Sequence, residues 1–191
     1  MDDAFLIGLD VGTTSVKGAL FDLSGRVRRT YASAYPTTRP AADRAEQDPG
    51  DWMRRVLAAL ADLVAAAPDG AIVALGLCSQ VNTHVFVDEN GEALLPAILW
   101  QDGRCAEEAR KLDERVATED RLKWWGAPLP IDASHVLSRA AYVQRAHPDI
   151  WRKTRWVMAP KDYCLLQLTG EAAADPMASF GVVDRNLAYI P

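Results

Sequence analysis

Residues 5–22 constrain the chain most. Two apolar runs, 5–9 and 16–21, enclose the polar stretch Asp10-Val11-Gly12-Thr13-Thr14-Ser15. The first run reads as a buried strand, and the second alternates enough to be its partner in a hairpin. A carboxylate, a glycine, three hydroxyls and the lysine Lys17 therefore share one hairpin tip. Asp10 ends a strand, where its carboxylate can hold hydrated Mg²⁺, a hard ion that keeps several waters. Gly12 lets the backbone approach a phosphate, and Thr13, Thr14 and Ser15 add hydroxyls to the N–H donors of a turn. Lys17 supplies a point charge for phosphate oxygens. The set suits a nucleoside triphosphate and its metal, although a plain hairpin would use Thr for β-propensity and Gly for the turn in the same way. The spacing is that of neither a P-loop nor a dinucleotide-binding fingerprint.

A second constellation is Gln80-Val81-Asn82-Thr83-His84, with Trp100 and Asp102 a hairpin away. A polyol needs neutral donors and acceptors plus an apolar face, because each buried hydroxyl left unmatched costs free energy. Gln80 and Asn82 offer both polarities, and Asp102 can accept from a hydroxyl. The competing reading is a polar strand end that serves backbone groups, with Trp100 packed in the core.

Taken in order, the run Asp10-x-Gly12-Thr13-Thr14-Ser15-x-Lys17 resembles the first phosphate motif of the FGGY carbohydrate kinases, within the actin-like, ribonuclease-H-like ATPase superfamily. Further segments resemble the same family: Glu46-Gln47-Asp48-Pro49-x-x-Trp52, Gly76 to Gln80, Trp100-x-Asp102-x-Arg104, and Pro160-Lys161-Asp162-Tyr163 with Leu168-Thr169-Gly170-Glu171. Xylulokinase-like members are the most similar in pattern. The resemblance implies an α/β fold with a mixed sheet and flanking helices, and ATP-dependent phosphorylation of a sugar or polyol, a pentulose such as xylulose being favoured. It implies Asp10 as the Mg²⁺ residue, Gly12, Thr13, Thr14, Ser15 and Lys17 as the ATP-phosphate residues, and Gln80, Val81, Asn82, Trp100 and Asp102 as the substrate residues. Val81 and Asn82 depart from the pairs typical of xylulokinases (Met-His) and glycerol kinases (Arg-Glu). The family's proteins are longer, with two domains clasping sugar and ATP. Residues 1–191 are thus expected to be part of the first domain, with the catalytic base and adenine pocket beyond Pro191 and this chain inactive alone. A non-catalytic remnant or binding module, or another actin-like ATPase, is the alternative.

With 191 residues, 49% hydrophobic and 25% charged, the chain has the make-up of an ordinary globular domain. A net charge of −5 without a basic run argues against nucleic acid or anionic membrane as partner. No apolar stretch approaches a membrane span and no signal segment is seen, so the expected setting is cytoplasmic. The three cysteines, Cys78, Cys105 and Cys164, lack metal-ligand spacing and read as reduced thiols. Uncovered apolar surface would favour self-association, a homodimer being the simplest form.

The pattern predicts strands over 4–10, 15–22 and 26–35, a loop over 36–47, and a helix capped by Asp48 with Pro49 in its first turn, running to Pro68. A strand over 71–77, a turn at Asp88-Glu89-Asn90-Gly91 and a strand over 94–100 follow. Helices are expected from Arg104, with Cys105, Ala109, Leu112 and Val116 on one face, then over 136–145 and over 161–168, ended by Gly170. Trp124-Trp125 reads as an aromatic loop, Glu107 and Glu108 as a solvated helix face, and His84, His135 and His147 as structural. Arg104 is the expected ion-pair partner of Asp102. No catalytic role is assigned to Asp162, Asp175 or Asp184.

Overall fold

The computed structural model describes residues 4–175. Asp184 lies outside the described residues.

Strand β1 (Phe5–Val11) turns at Gly12-Thr13-Thr14 into β2 (Ser15–Asp22), and β3 (Val27–Ala34) extends the meander. Alternation sorts the side chains. Ile7, Leu9, Val11, Val16 and Leu20 are buried on one face, while Asp10 and Lys17, paired in register, share the other.

A two-residue strand β4 (Glu46–Gln47) precedes α1 (Pro49–Val64). Asp48 caps this helix as expected, its Oδ1 accepting from the Gly50 amide at 2.8 Å, and Pro49 occupies the first turn. Trp52, Val56, Ala59 and Leu63 form its buried stripe against the sheet. Close approach requires Gly18: a Cβ there would lie 2.7 Å from Leu9 Cδ2 and 2.8 Å from Leu63 Cδ1.

After α1 the chain returns as β5 (Ile72–Ser79), parallel to β1, giving a mixed sheet of order β3-β2-β1-β5. Val11 lies beside Ser79, and the Gln80 amide donates to the Val11 carbonyl at 3.0 Å. The phosphate-type turn and the Gln80 segment therefore leave the same end of the sheet, where ligands of open α/β sheets bind.

Beyond the sheet come β6 (Val85–Val87), β7 (Ala97–Ile98), α2 (Ala106–Asp113), α3 (Thr118–Trp125), α4 (Val136–Ala146), α5 (Pro148–Lys153), β8 (Trp156–Met158) and α6 (Pro160–Thr169). β4 pairs with β7, and β6 with β8. A second core of Phe86, Ile98, Cys105, Val136, Tyr142, Val143 and Val157 forms here.

Several expectations need correction. The strand expected over 94–100 shrinks to Ala97–Ile98, with Pro96, which cannot donate to a ladder, just before it. The helix expected to run from Arg104 through Val116 stops at Asp113. Arg121 Nη2 donates to the carbonyls of Asp113 (2.6 Å) and Val116 (2.8 Å), closing that end. Trp124 and Trp125 end helix α3 rather than forming a loop, with Gly126 in the left-handed conformation as the stop. Glu108 is buried and paired with Arg145 at 2.6 Å, joining α2 to α4, so only Glu107 belongs to the solvated face. α5 and β8 lie where no element was expected.

Gly18→Val should overpack the contact between sheet and α1 and cost about 1–3 kcal/mol of stability. Urea denaturation should show a lower midpoint with an unchanged slope.

Candidate active-site cleft

Gln47 explains how the cleft is assembled. Its side chain is buried, and all four hydrogen-bonding positions of the amide are filled. Nε2 donates to the Thr13 carbonyl (2.7 Å) and Thr37 Oγ1 (2.8 Å), while Oε1 accepts from Trp52 Nε1 (3.0 Å) and Gln80 Nε2 (3.0 Å). One side chain thus ties the turn after β1, helix α1 and the segment after β5. The sequence reading took Gln47 only as part of the helix entry. An amide immediately before a helix cap, followed by a tryptophan five residues on, was the available signal.

Around the turn at residues 12–14 the carbonyls face inward. Gly12 O accepts from the Tyr35 hydroxyl, Thr13 O from Gln47, and Thr14 O from the Tyr35 amide at 3.2 Å. Gly12 N donates to Ser15 O at 3.1 Å, whereas the amides of Thr13 and Thr14 have no acceptor among the described residues. Gly12 has little room: a Cβ would lie 3.3 Å from Ser15 O and 3.4 Å from Asp10 Oδ2. Thr14 and Lys17 are exposed, and Thr13, Ser15 and Asp10 half-buried. Asp10 lies beside Cys78, whose thiol is pushed up by burial and then by the Asp10 carboxylate. No group of three or more His, Cys, Asp or Glu among the described residues could hold a metal ion. Mg²⁺ at Asp10 would accordingly be held mainly by water and phosphate oxygens.

Next to this turn is an open cavity of ≈ 780 Å³, lined by Thr13, Gln80, Val81, Asn82, Trp100 and Asp102, together with Ser79 and residues 132–134. Trp100 is not core packing, being 46% exposed. Its Nε1 donates to Thr13 Oγ1 at 3.3 Å, which joins the two constellations. Thr83 braces the floor by donating to Gln80 Oε1 and accepting from the Trp100 amide, both at 3.2 Å. Asn82 adopts a left-handed conformation, φ 53°, which Asn tolerates better than most residues. Its Nδ2 donates to Ser134 Oγ at 3.1 Å. Val81 is exposed at the rim.

Asp102 is buried and engaged. Oδ2 accepts from the Ala45 amide and Arg104 Nη2 at 2.7 Å each, and Oδ1 from Arg104 Nε at 2.8 Å. Burial works against its charge, yet these bonds prevail and hold the carboxyl below the ordinary range. Arg104 also donates to Glu46 Oε1 at 2.7 Å. A second buried guanidinium, Arg139, donates to the Leu99 carbonyl at 2.5 Å and the Ala133 carbonyl at 3.1 Å. It braces the carbonyls just before Trp100 and just before Ser134, on both sides of the cavity. Burial lowers its pKa to about 10, which leaves it charged at neutral pH.

His84 and His135 are structural. His84 is buried, its backbone pairing with Ile98, and burial followed by Arg139 holds its pKa well below the usual value. His135 caps α4 through Nδ1. Lys161 is not itself in the cavity lining: its side chain pairs with Asp162 and with Asp175, and its amide donates to Oγ of the lining residue Ser79 at 3.2 Å.

The sequence matches the FGGY family of carbohydrate kinases, N-terminal domain, over residues 5–180. It is 34% identical over 185 residues to the xylulose kinase of Escherichia coli (strain K12), covering 95% of this chain and 37% of that protein. It is 29% identical to the gluconokinase of Bacillus subtilis (strain 168), covering 90% and 33% respectively. The crystal structure of xylulose kinase from Rhodospirillum rubrum superposes with a TM-score of 0.85 at 27% identity, over 95% of this chain and 38% of that one. The chain spans little more than a third of the length of these relatives. The mixed sheet with flanking helices is the actin-like ATPase fold of these sugar kinases. Among the described residues no helix is long and apolar enough to cross a membrane.

Gln47→Leu should strand the Thr13 carbonyl, the Trp52 indole and the Gln80 amide. The expected loss is about 1–3 kcal/mol or more, read by urea denaturation, with the Thr13 and Gln80 amide resonances moving together. The buried histidines set a pH dependence. The unfolded chain protonates them near their usual pKa while the folded state resists, so the unfolded state binds more protons and stability falls as pH drops below about 6.5. His84→Gln should flatten the fall in melting temperature between pH 7 and 5.

Proposed function

The chain belongs to the FGGY family of carbohydrate kinases, and from that premise we propose that it forms one wall of an ATP-dependent sugar or polyol kinase, a pentulose such as xylulose being the favoured acceptor. The observation that carries this reading is the Trp100 to Thr13 hydrogen bond, which sets the sugar-type cavity directly against the phosphate-type turn.

The reaction moves the γ-phosphoryl group of ATP to a terminal hydroxyl of the sugar, and its catalysis rests on positioning and charge neutralisation. The amides of Thr13 and Thr14, which have no acceptor among the described residues, and their hydroxyls, together with Lys17, address phosphate oxygens. Asp10 would hold the hydrated Mg²⁺, which when bound would offset phosphate charge. Gln80 and Asn82 orient sugar hydroxyls, Trp100 offers an apolar face, and Asp102 shapes the wall through Arg104 and Ala45. No described carboxylate is assigned as the base that takes the hydroxyl proton, so this stretch alone is expected to show no robust turnover. The cavity beside Trp100 favours a sugar kinase over an actin-like ATPase of another kind.

Titrating the ¹⁵N-labelled chain tests the reading. D-Xylulose should move the Gln80, Asn82 and Trp100 resonances, and Mg·ATP those of Thr13 and Thr14. Asp10→Asn should weaken the Mg²⁺-dependent part of the second response and spare the first. Sugar-induced shifts confined to residues outside the cavity would refute the assignment.

A further inference from the structure

We propose that the cavity selects uncharged polyhydroxyl ligands over sugar acids, and that Asp132 is the residue that discriminates. This deepens the kinase reading above and rests on it.

The sequence reading passed over Asp132, which comes to the cavity from the loop before α4. Its carboxylate is fixed on one side. Oδ1 accepts from the Ser134 amide at 2.8 Å and from Ser134 Oγ at 2.7 Å. Ser134 Oγ in turn accepts from Asn82 Nδ2. The hydrogen-bonded chain from Asp132 through Ser134 to Asn82 joins three residues of the cavity lining and gives each polar atom a direction. Asp132 Oδ2 and Asn82 Oδ1 are left without a donor among the described residues, and Asp132 itself is exposed.

This part of the rim therefore presents the Asp132 charge and two acceptors, with the second Asn82 Nδ2 hydrogen as its donor. Sugar hydroxyls can use all of these, whereas a carboxylate, acceptor-only and negative, can use only that one N–H and is repelled by Asp132. Among the described residues no Lys or Arg lines the cavity. The described cations behind its walls are committed: Arg104 to Asp102 and Glu46, Arg139 to two backbone carbonyls, and Lys161, whose amide donates to Ser79 Oγ, to Asp162 and Asp175. An acid group entering here would find no free cation among the described residues and would face the Asp132 charge. Discrimination against a wrong ligand by an unmatched charge is an efficient source of specificity.

The test uses the ¹⁵N-labelled chain with D-xylulose and D-gluconate as probes, read at the Asn82, Ser134 and Trp100 resonances. The wild type should bind D-xylulose about tenfold or more tightly than D-gluconate. Asp132→Asn keeps the Oδ1 acceptor for Ser134 and should narrow that ratio, and Asp132→Lys should reverse it, with resonances remote from the cavity unmoved. Equal binding of both probes by the wild type, or a ratio unchanged in Asp132→Lys, would overturn the inference while leaving a sugar site in place. Failure of both probes to move the cavity resonances would overturn the kinase reading and the inference with it.

Discussion

The four hydrogen bonds of Gln47 are the constraint on which the rest of the cleft depends. A buried primary amide is costly unless every donor and acceptor is matched, and here each match lies on a different part of the chain. The Thr13 carbonyl belongs to the first hairpin, Trp52 to α1, Gln80 to the end of β5, and Thr37 to the loop after β3. Satisfying Gln47 therefore fixes these pieces relative to one another. With the Thr13 carbonyl taken by Gln47, the amides of Thr13 and Thr14 keep no acceptor among the described residues. The same requirement that stabilises the interior thus fixes the turn proposed above to meet phosphate.

Two buried guanidiniums perform a similar task on the other wall. Arg104 is held by Asp102 and Glu46, so it joins the loop after β7 to strand β4, and the planar fork suits that bidentate arrangement. Arg139 reaches from α4 to Leu99 and Ala133 and holds the loops that carry Trp100 and Ser134. Charge buried this way is weak evidence for stability by itself. What these residues provide is geometry: removing either would leave carbonyls or carboxylates unmatched on both sides of the cavity.

Much of the first half of the chain was legible because its patterns are long and periodic. The hairpin alternation, the Asp48 cap with Pro49 and the helical spacing of Trp52, Val56, Leu60 and Leu63 all carry local physical signals, and the structure shows each of them, with Leu60 only partly buried. The second half was less legible. β7 and β8 span two and three residues, too short for any period to show, and exist through pairing with β4 and β6. Glu108 looked solvated because its partner Arg145 is remote in sequence. At the cleft, the Gln80 cluster was visible by composition. The roles of Gln47, Thr83 and Arg139 were less so, since each rests on hydrogen bonds to residues distant in sequence, and Asp132 reaches the cavity only through the folding of the loop before α4.

The division between floor and rim has a functional consequence. Gln47, Gln80 and Thr83 are buried and hydrogen-bonded to one another, and Asp102 and Arg139 are buried and bonded to Arg104 and to backbone groups, so a change at any of them disturbs the fold as well as the cavity. Val81 and Asp132 are exposed and make few bonds, so their replacement alters what the cavity presents at little cost to stability, whereas the left-handed backbone of the exposed Asn82 limits what can replace it. A fold arranged in this way can keep its phosphate turn and braces while its acceptor varies. That fits the similarity of this chain both to a xylulose kinase and to a gluconokinase, at 34% and 29% identity. On the proposed reading, substrate choice would lie with the rim residues Val81, Asn82 and Asp132, and phosphate contact with the turn that Gln47 holds from below.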